Sequence, residues 1–164
     1  MKTGQMAEKP FYITTPIYYA NDEPHIGHSY TTILADVLSR YHRSIGEEVF
    51  FLTGLDEHGQ KVQQAAEERG IDPQQHCDEM AQKWKLLWKK LHIRYDDFIR
   101  TTEPRHEKVV KDILTKVKDG GDIYMDEYGG HYCVGCERFY TEKELEDGKC
   151  PQHEKELEYI TEKN

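Results

Sequence analysis

The sequence predicts an α/β fold, an open parallel sheet with crossover helices, followed by a small module of different character. Three observations carry this. Short runs rich in β-branched and aromatic residues alternate with longer segments whose apolar residues recur every three or four positions. Their order is strand, helix, strand, helix, helix, strand, helix, the rhythm of a parallel sheet. Beyond Gly121 that rhythm stops, and three of the four cysteines crowd into one short stretch, at 133, 136 and 150.

Taken in order, Phe11-Tyr12-Ile13-Thr14-Thr15 reads as the first strand and runs into a Pro- and Asn-punctuated turn from Pro16 to Pro24. A helix follows from about His28, with Ile33, Leu34, Val37, Leu38 and Tyr41 marking its inward face and Gly46 its stop. Val49-Phe50-Phe51-Leu52-Thr53, bounded by Gly54, is a buried strand; Glu57 to Arg69 is helical and ends at Gly70. Asp72-Pro73 opens the next helix with an N-cap and a proline at the first position. On it Met80, Trp84, Leu87, Trp88 and Leu91 form one core-facing stripe. Asp97 to Thr101 is a third strand, and Glu103 to Asp119 a fourth helix with Val109, Val110, Ile113, Leu114 and Val117 inward, ended by Gly120-Gly121. The expected division is a polar, disordered terminus over 1–9, a sheet domain over 10–120, and the start of a second module over 121–164.

Composition narrows the function classes. In 164 residues, 22 Lys and Arg against 31 Asp and Glu leave a net charge of −9. That balance argues against DNA binding or bulk nucleic-acid coating, while leaving room for a local RNA site. Aromatic residues make up 11% of the chain, more than disordered sequences carry. No apolar run approaches the ~20 residues that span a bilayer, and Met1–Pro10 holds no signal-peptide core. The expectation is a cytoplasmic protein away from membranes, with reduced thiols available to a metal.

Pro24-His25-Ile26-Gly27-His28 lies between the first strand and the first helix, at the carboxyl edge where parallel sheets bind ligands. A helix N-terminus there offers N–H groups to phosphate. Gly27 lets a nucleotide approach the backbone, and His25 and His28, three apart, project to one side as hydrogen-bond donors to charge growing in a transition state. Two ordinary histidines at a helix start remain the plainer reading of that pattern alone.

Cys133-Val134-Gly135-Cys136 and Cys150-Pro151-Gln152-His153 are two paired-ligand turns with the spacing of a zinc site. Four ligands close the coordination shell, so one structural zinc is expected at Cys133, Cys136, Cys150 and His153, with Gly135 relieving the first turn. A redox pair of Cys133 and Cys136, or His131 in place of His153, are the rivals. Cys77 sits far off as a lone thiol. Lys83, Lys85, Lys89 and Lys90 read as a solvated helix face, and Tyr124, Tyr128 and Tyr132 as packing near the metal.

Three segments together, Thr15-Pro16-Ile17-Tyr18-Tyr19, His25-Ile26-Gly27-His28 and Thr53-Gly54-Leu55-Asp56-Glu57-His58-Gly59, with Asp97-Phe98-Ile99-Arg100-Thr101-Thr102 beyond them, closely resemble the methionyl-tRNA synthetases, a class I aminoacyl-tRNA synthetase family. The resemblance runs from about Phe11 to the last residue. It implies the N-terminal half of a Rossmann-like nucleotide-binding sheet followed by a zinc-knuckle insertion. It further implies ATP-dependent activation of methionine to methionyl-adenylate and transfer to tRNA(Met), with magnesium accompanying ATP. His25, Gly27 and His28 carry over as ATP-side groups, His25 and His28 being the catalytic ones. Asp56 carries over as the holder of the substrate ammonium, Ile17 and Tyr19 as the methionine lining. Asp56 as a plain helix cap and Tyr19 as plain core are the alternatives. The family's Lys-Met-Ser-Lys-Ser-type loop is absent from these residues, so the polypeptide is expected to be an inactive amino-terminal portion. A free-standing nucleotide- or zinc-binding module without ligase chemistry is the alternative.

Overall fold

The structure, a computed structural model, describes residues 10–163; the expectation for 1–9 falls outside them. The elements are β1 (Phe11–Tyr19), α1 (Ile26–Ser44), β2 (Val49–Asp56), α2 (Gln60–Glu68), α3 (Pro73–Lys90), β3 (Asp97–Arg100), α4 (Pro104–Asp119), β4 (Glu127–Cys133), β5 (Arg138–Tyr140) and β6 (Glu158–Lys163), with one 3-10 turn at Glu142–Glu144. They divide into two compact units, one up to Lys108 and one from Val109 onward. That break falls inside α4.

In the first unit β1, β2 and β3 form a parallel sheet in that order. β1 runs four residues further than expected, through Pro16 to Tyr19. It does so by a bulge: Thr14 pairs with Leu52 and Ile17 with Gly54, so Thr15 and Pro16 together oppose Thr53. Proline lacks the N–H a ladder needs, and a bulge on an edge strand is where a sheet admits it. The buried Thr15 and Thr53 hydroxyls meet across the bulge at 2.7 Å. Before it Thr15 faces inward; after it Tyr18 does, and Ile17 and Tyr19 are exposed.

α1 and α3 both reach Tyr18. Its ring stacks on Trp84 at 4.9 Å, and its hydroxyl meets the Thr32 hydroxyl at 2.9 Å. The core gathers there: Phe51, Leu55, Met80, Trp84, Trp88 and Phe98. Asp72 caps α3 as expected, accepting from the amides of Gln74 and Gln75.

Two helices differ from expectation. α1 buries Thr32, Ala35, Asp36 and Ser39, while Ile33, Leu34, Val37, Leu38 and Tyr41 are exposed. The buried face is the one with built partners: Asp36 accepts from the Arg94 amide at 2.7 Å and from Arg40 Nε at 2.6 Å. Small side chains there let the helix lie close to the sheet. α4 buries no residue, so Val109, Val110, Ile113, Leu114 and Val117 are exposed too. Both stripes are apolar at helical spacing, and nothing among the described residues covers them. Leu91 is likewise exposed, at the end of α3.

In the second unit β5, β4 and β6 form an antiparallel sheet in that order. Its buried core is three residues, Cys133, Tyr140 and Cys150. No described helix is long and apolar enough to cross a membrane.

Candidate functional site

The carboxyl ends of β1 and β2 and the start of α1 build the first site. Ile17, Tyr18, Tyr19, Asn21, Asp22, Glu23, His25 and His28 line one cleft of about 320 Å³. Asp56 lies beside it: it pairs with Tyr19 across the sheet, and its carbonyl accepts from the Ala20 amide at 3.0 Å. The Asp56 carboxylate accepts from the His58 amide at 3.3 Å and is half-buried.

His25 is the N-cap of α1 and His28 its third residue, and the two cap each other. The Gly27 amide donates to His25 Nδ1 at 3.1 Å, and the His25 amide to His28 Nδ1 at 3.2 Å. A backbone N–H only donates, so both Nδ1 atoms are acceptors and each neutral ring carries its proton on Nε2. The rings stack at 3.7 Å. Burial, then the neighbouring His25, hold His28 below the usual histidine range.

Gly27 also has a part in the cap. Its N–H is already occupied by His25, and a Cβ on it would stand 3.0 Å from the His25 ring. The missing side chain makes room for the cap before it makes room for any nucleotide. Tyr18, Asn21, Asp22 and Glu23 are lining residues that the motif reading passed over. Their position in the connection after a strand's carboxyl end was the available signal.

The second unit brings together Cys133, Cys136, Cys150 and His153, whose ligand atoms all lie within 4.8 Å of one another. His153 Nδ1 stands 3.7, 3.3 and 3.7 Å from the sulfurs of Cys133, Cys136 and Cys150, and Cys136 and Cys150 are 3.6 Å apart. Tetrahedral zinc with arms of roughly 2.3 Å to sulfur and 2.05 Å to nitrogen requires edges of roughly 3.8 and 3.6 Å, so the donor set fits that ion. The sulfurs are too far apart for a disulfide, and all four cysteines are free. Burial opposes ionisation of Cys150, yet hydrogen bonds from His153 and the backbone around it bring its thiol down to about 5. His131 stands elsewhere on β4, edge-on to Tyr159 at 5.3 Å. Cys77 is buried in α3 and its thiol is pushed up to about 11, first by burial.

Gly135 has a steric reason rather than the conformational one expected. A Cβ there would come within 2.7 Å of the His153 ring, which lies over it. Of the lysines on α3, Lys83 pairs with Glu23 at 2.5 Å and Lys85 lies 4.8 Å over the Phe98 ring, as a solvated face does. Tyr128 and Tyr132 pack on Phe139.

Comparison with known proteins agrees with this architecture. A profile of the tRNA synthetases class I (M) matches residues 11–163. The methionine–tRNA ligase of Thermotoga maritima is 54% identical over 158 residues, covering 94% of this chain and 25% of that protein. That of Streptomyces coelicolor is 47% identical over 171 residues, covering 99% and 32%. The crystal structure of Mycobacterium tuberculosis methionyl-tRNA synthetase bound by methionyl-adenylate superposes with a TM-score of 0.88 at 38% identity, over 94% of this chain and 32% of that one. The chain thus spans about a quarter to a third of the length of these relatives. With the profile matched over residues 11–163, nearly its whole length, this chain belongs to the class I tRNA synthetases of the methionyl family.

Proposed function

We propose that this chain supplies the nucleotide- and methionine-binding half-site of a methionine–tRNA ligase, which joins methionine to tRNA(Met) through methionyl-adenylate. The observation that carries this reading is the cleft shared by Ile17, Tyr19, His25 and His28, with Asp56 on the neighbouring strand end.

A carboxylate oxygen of methionine attacks the α-phosphorus of ATP, the bond to the β-phosphate bridging oxygen breaks, and pyrophosphate leaves in line. No proton moves in that step, so the protein's contribution is position and charge. His25 and His28 each present Nε2–H to the phosphate oxygens. Because the Nδ1 atoms are tied to the backbone, both donors are oriented before charge develops, and little reorganisation is needed. Asp56 holds the methionine ammonium through a charge-assisted contact. Ile17 and the Tyr19 ring flank the thioether. Magnesium offsets the charge of the departing pyrophosphate. In the second step a hydroxyl oxygen of the tRNA's terminal adenosine attacks the methionyl carbonyl carbon, the bond from that carbon to the AMP phosphate oxygen breaks, and the hydroxyl proton leaves with AMP.

In the second unit Cys133, Cys136, Cys150 and His153 would hold one zinc ion, whose closed shell supplies folding energy rather than a reactive position. In the full-length protein, methionine should drive exchange of pyrophosphate into ATP, and His28→Ala should slow that exchange by about 100-fold, the effect of losing one preorganised donor. Exchange driven by isoleucine, valine or cysteine instead would overturn the substrate. ATP binding with no exchange at all would favour a binding module.

A further inference from the structure

We propose that Glu57 is a positioning residue for the ammonium site: clamped by Arg100 and Thr102 beneath the end of β2, it fixes the placement of the Asp56 carboxylate. This rests on the methionine-binding reading of Asp56.

Glu57 follows Asp56 directly, and its side chain is entirely buried. A buried carboxylate is tolerated only when donors occupy its lone pairs. Arg100 Nε donates to Oε1 at 2.6 Å and the Thr102 hydroxyl to Oε2. The backbone is held as well: the Glu57 amide donates to the Thr101 hydroxyl at 2.9 Å, and the Thr101 amide to the Leu55 carbonyl at 3.3 Å. The same Thr101 hydroxyl meets His58 Nδ1 at 3.0 Å. Asp56 and His58 therefore hang from a residue fixed at both side chain and main chain, and the His58 amide in turn holds the Asp56 carboxylate.

Arg100 is itself held in place by the same clamp. Arg100 pairs across the sheet with Leu55, one residue from Asp56. Its guanidinium is shared between Glu57 and Asp78, each at 2.6 Å. Alternation along β2 puts Leu55 and Glu57 on the face that Arg100 shares, so the clamp holds the backbone on either side of Asp56 from the opposite face. A buried ion pair adds little stability over well-packed apolar side chains. Its value at this place is geometric.

The test uses the full-length protein and methionine-dependent pyrophosphate exchange. Glu57→Gln keeps shape and an acceptor for Thr102 but loses the charge. It should raise KM for methionine about tenfold with KM for ATP, zinc content and melting temperature near wild type. Adding Arg100→Met to Glu57→Gln dismantles the clamp from both sides and should leave the methionine KM raised. A folded Glu57→Gln protein with wild-type methionine KM, or with equal losses for both substrates, overturns the proposal. Should that variant not fold, Thr102→Val decides: a rise of about threefold confined to methionine supports the clamp, and no change overturns it. Wild-type protein that shows no methionine-dependent exchange would instead overturn the assigned function.

Discussion

At the scale of single residues, the His25–His28 pair makes the start of α1 dependent on protonation. Each Nδ1 accepts from a backbone amide, so a protonated ring has lost the lone pair that caps the helix. The groups facing His28 are the His25 ring at 3.7 Å and the Tyr18 and Trp84 rings, both at 4.8 Å. None is an anion that would favour the charged form. The folded state thus holds His28 below the 6.5 of the unfolded chain. The sign follows: above that value the ring is neutral in both states, and as pH falls through it the unfolded chain takes up the proton first, so folding weakens. Thermal midpoints should drop less between pH 8 and pH 5 for His28→Gln, which keeps a side-chain acceptor at the same helix position without titrating. Equal drops would show that His28 does not govern the slope. In the second unit, with its Cys133, Cys136, Cys150 and His153 cluster, the sensitive atom is one that is absent. Gly135→Ala would drive a methyl against the His153 ring at 2.7 Å. Zinc should leave that variant faster than wild type, as read by a chromogenic chelator.

At the scale of elements, periodicity told where helices lie but not which face they bury. The stripe on α3 reads correctly, Leu91 at its end excepted, because its partners, Tyr18, Phe51 and Phe98, are present in the same unit. The stripes on α1 and α4 are equally regular, yet they are exposed. A hydrophobic pattern records that a face is suited to burial, and the identity of the covering surface is not contained in it. Conversely, the buried Asp36 of α1 carries no sequence signal, because its partner is the backbone of Arg94, 58 residues away. The Cys/His turns and the histidine motif were legible for the opposite reason: their ligands and caps lie within a few residues of each other. What stayed hidden there was why the glycines are needed, since that depends on where a ring from elsewhere comes to rest. Gly54 is a third such case, between β2 and β3. A Cβ on it would stand 2.1 Å from the Ile99 carbonyl oxygen, a backbone atom that cannot step aside. Gly54→Ala should cost about 3 kcal/mol in denaturant unfolding, the upper range for overpacking; a loss below about 1 kcal/mol would mean the sheet opens more readily than its ladder implies.

At the scale of the whole molecule, the two units draw stability from different sources. The first has a continuous apolar core around Trp84 and Trp88, the chain's two tryptophans. The second buries only Cys133, Tyr140 and Cys150, which is too little to fold a three-stranded sheet unaided. Metal removal should therefore act on one unit alone. On addition of a strong chelator, amide signals from residues 127–163 should collapse toward unfolded shifts while tryptophan emission stays at its starting wavelength. A simultaneous change in both would show that the units unfold together.

The extra residue in β1 has a consequence for how the strand tolerates change. Upstream of Thr15 and Pro16 the odd-numbered side chains point toward the helices; downstream the even-numbered Tyr18 takes over that duty, and its neighbours Ile17 and Tyr19 are freed for the opening. The bulge acts as a phase shifter between a core-facing half-strand and a half-strand that lines the cleft. Erasing it by deleting a single residue would leave nearly every side chain chemically intact while exchanging wall for foundation, so that a one-residue edit would dismantle a cleft that many conservative substitutions would spare.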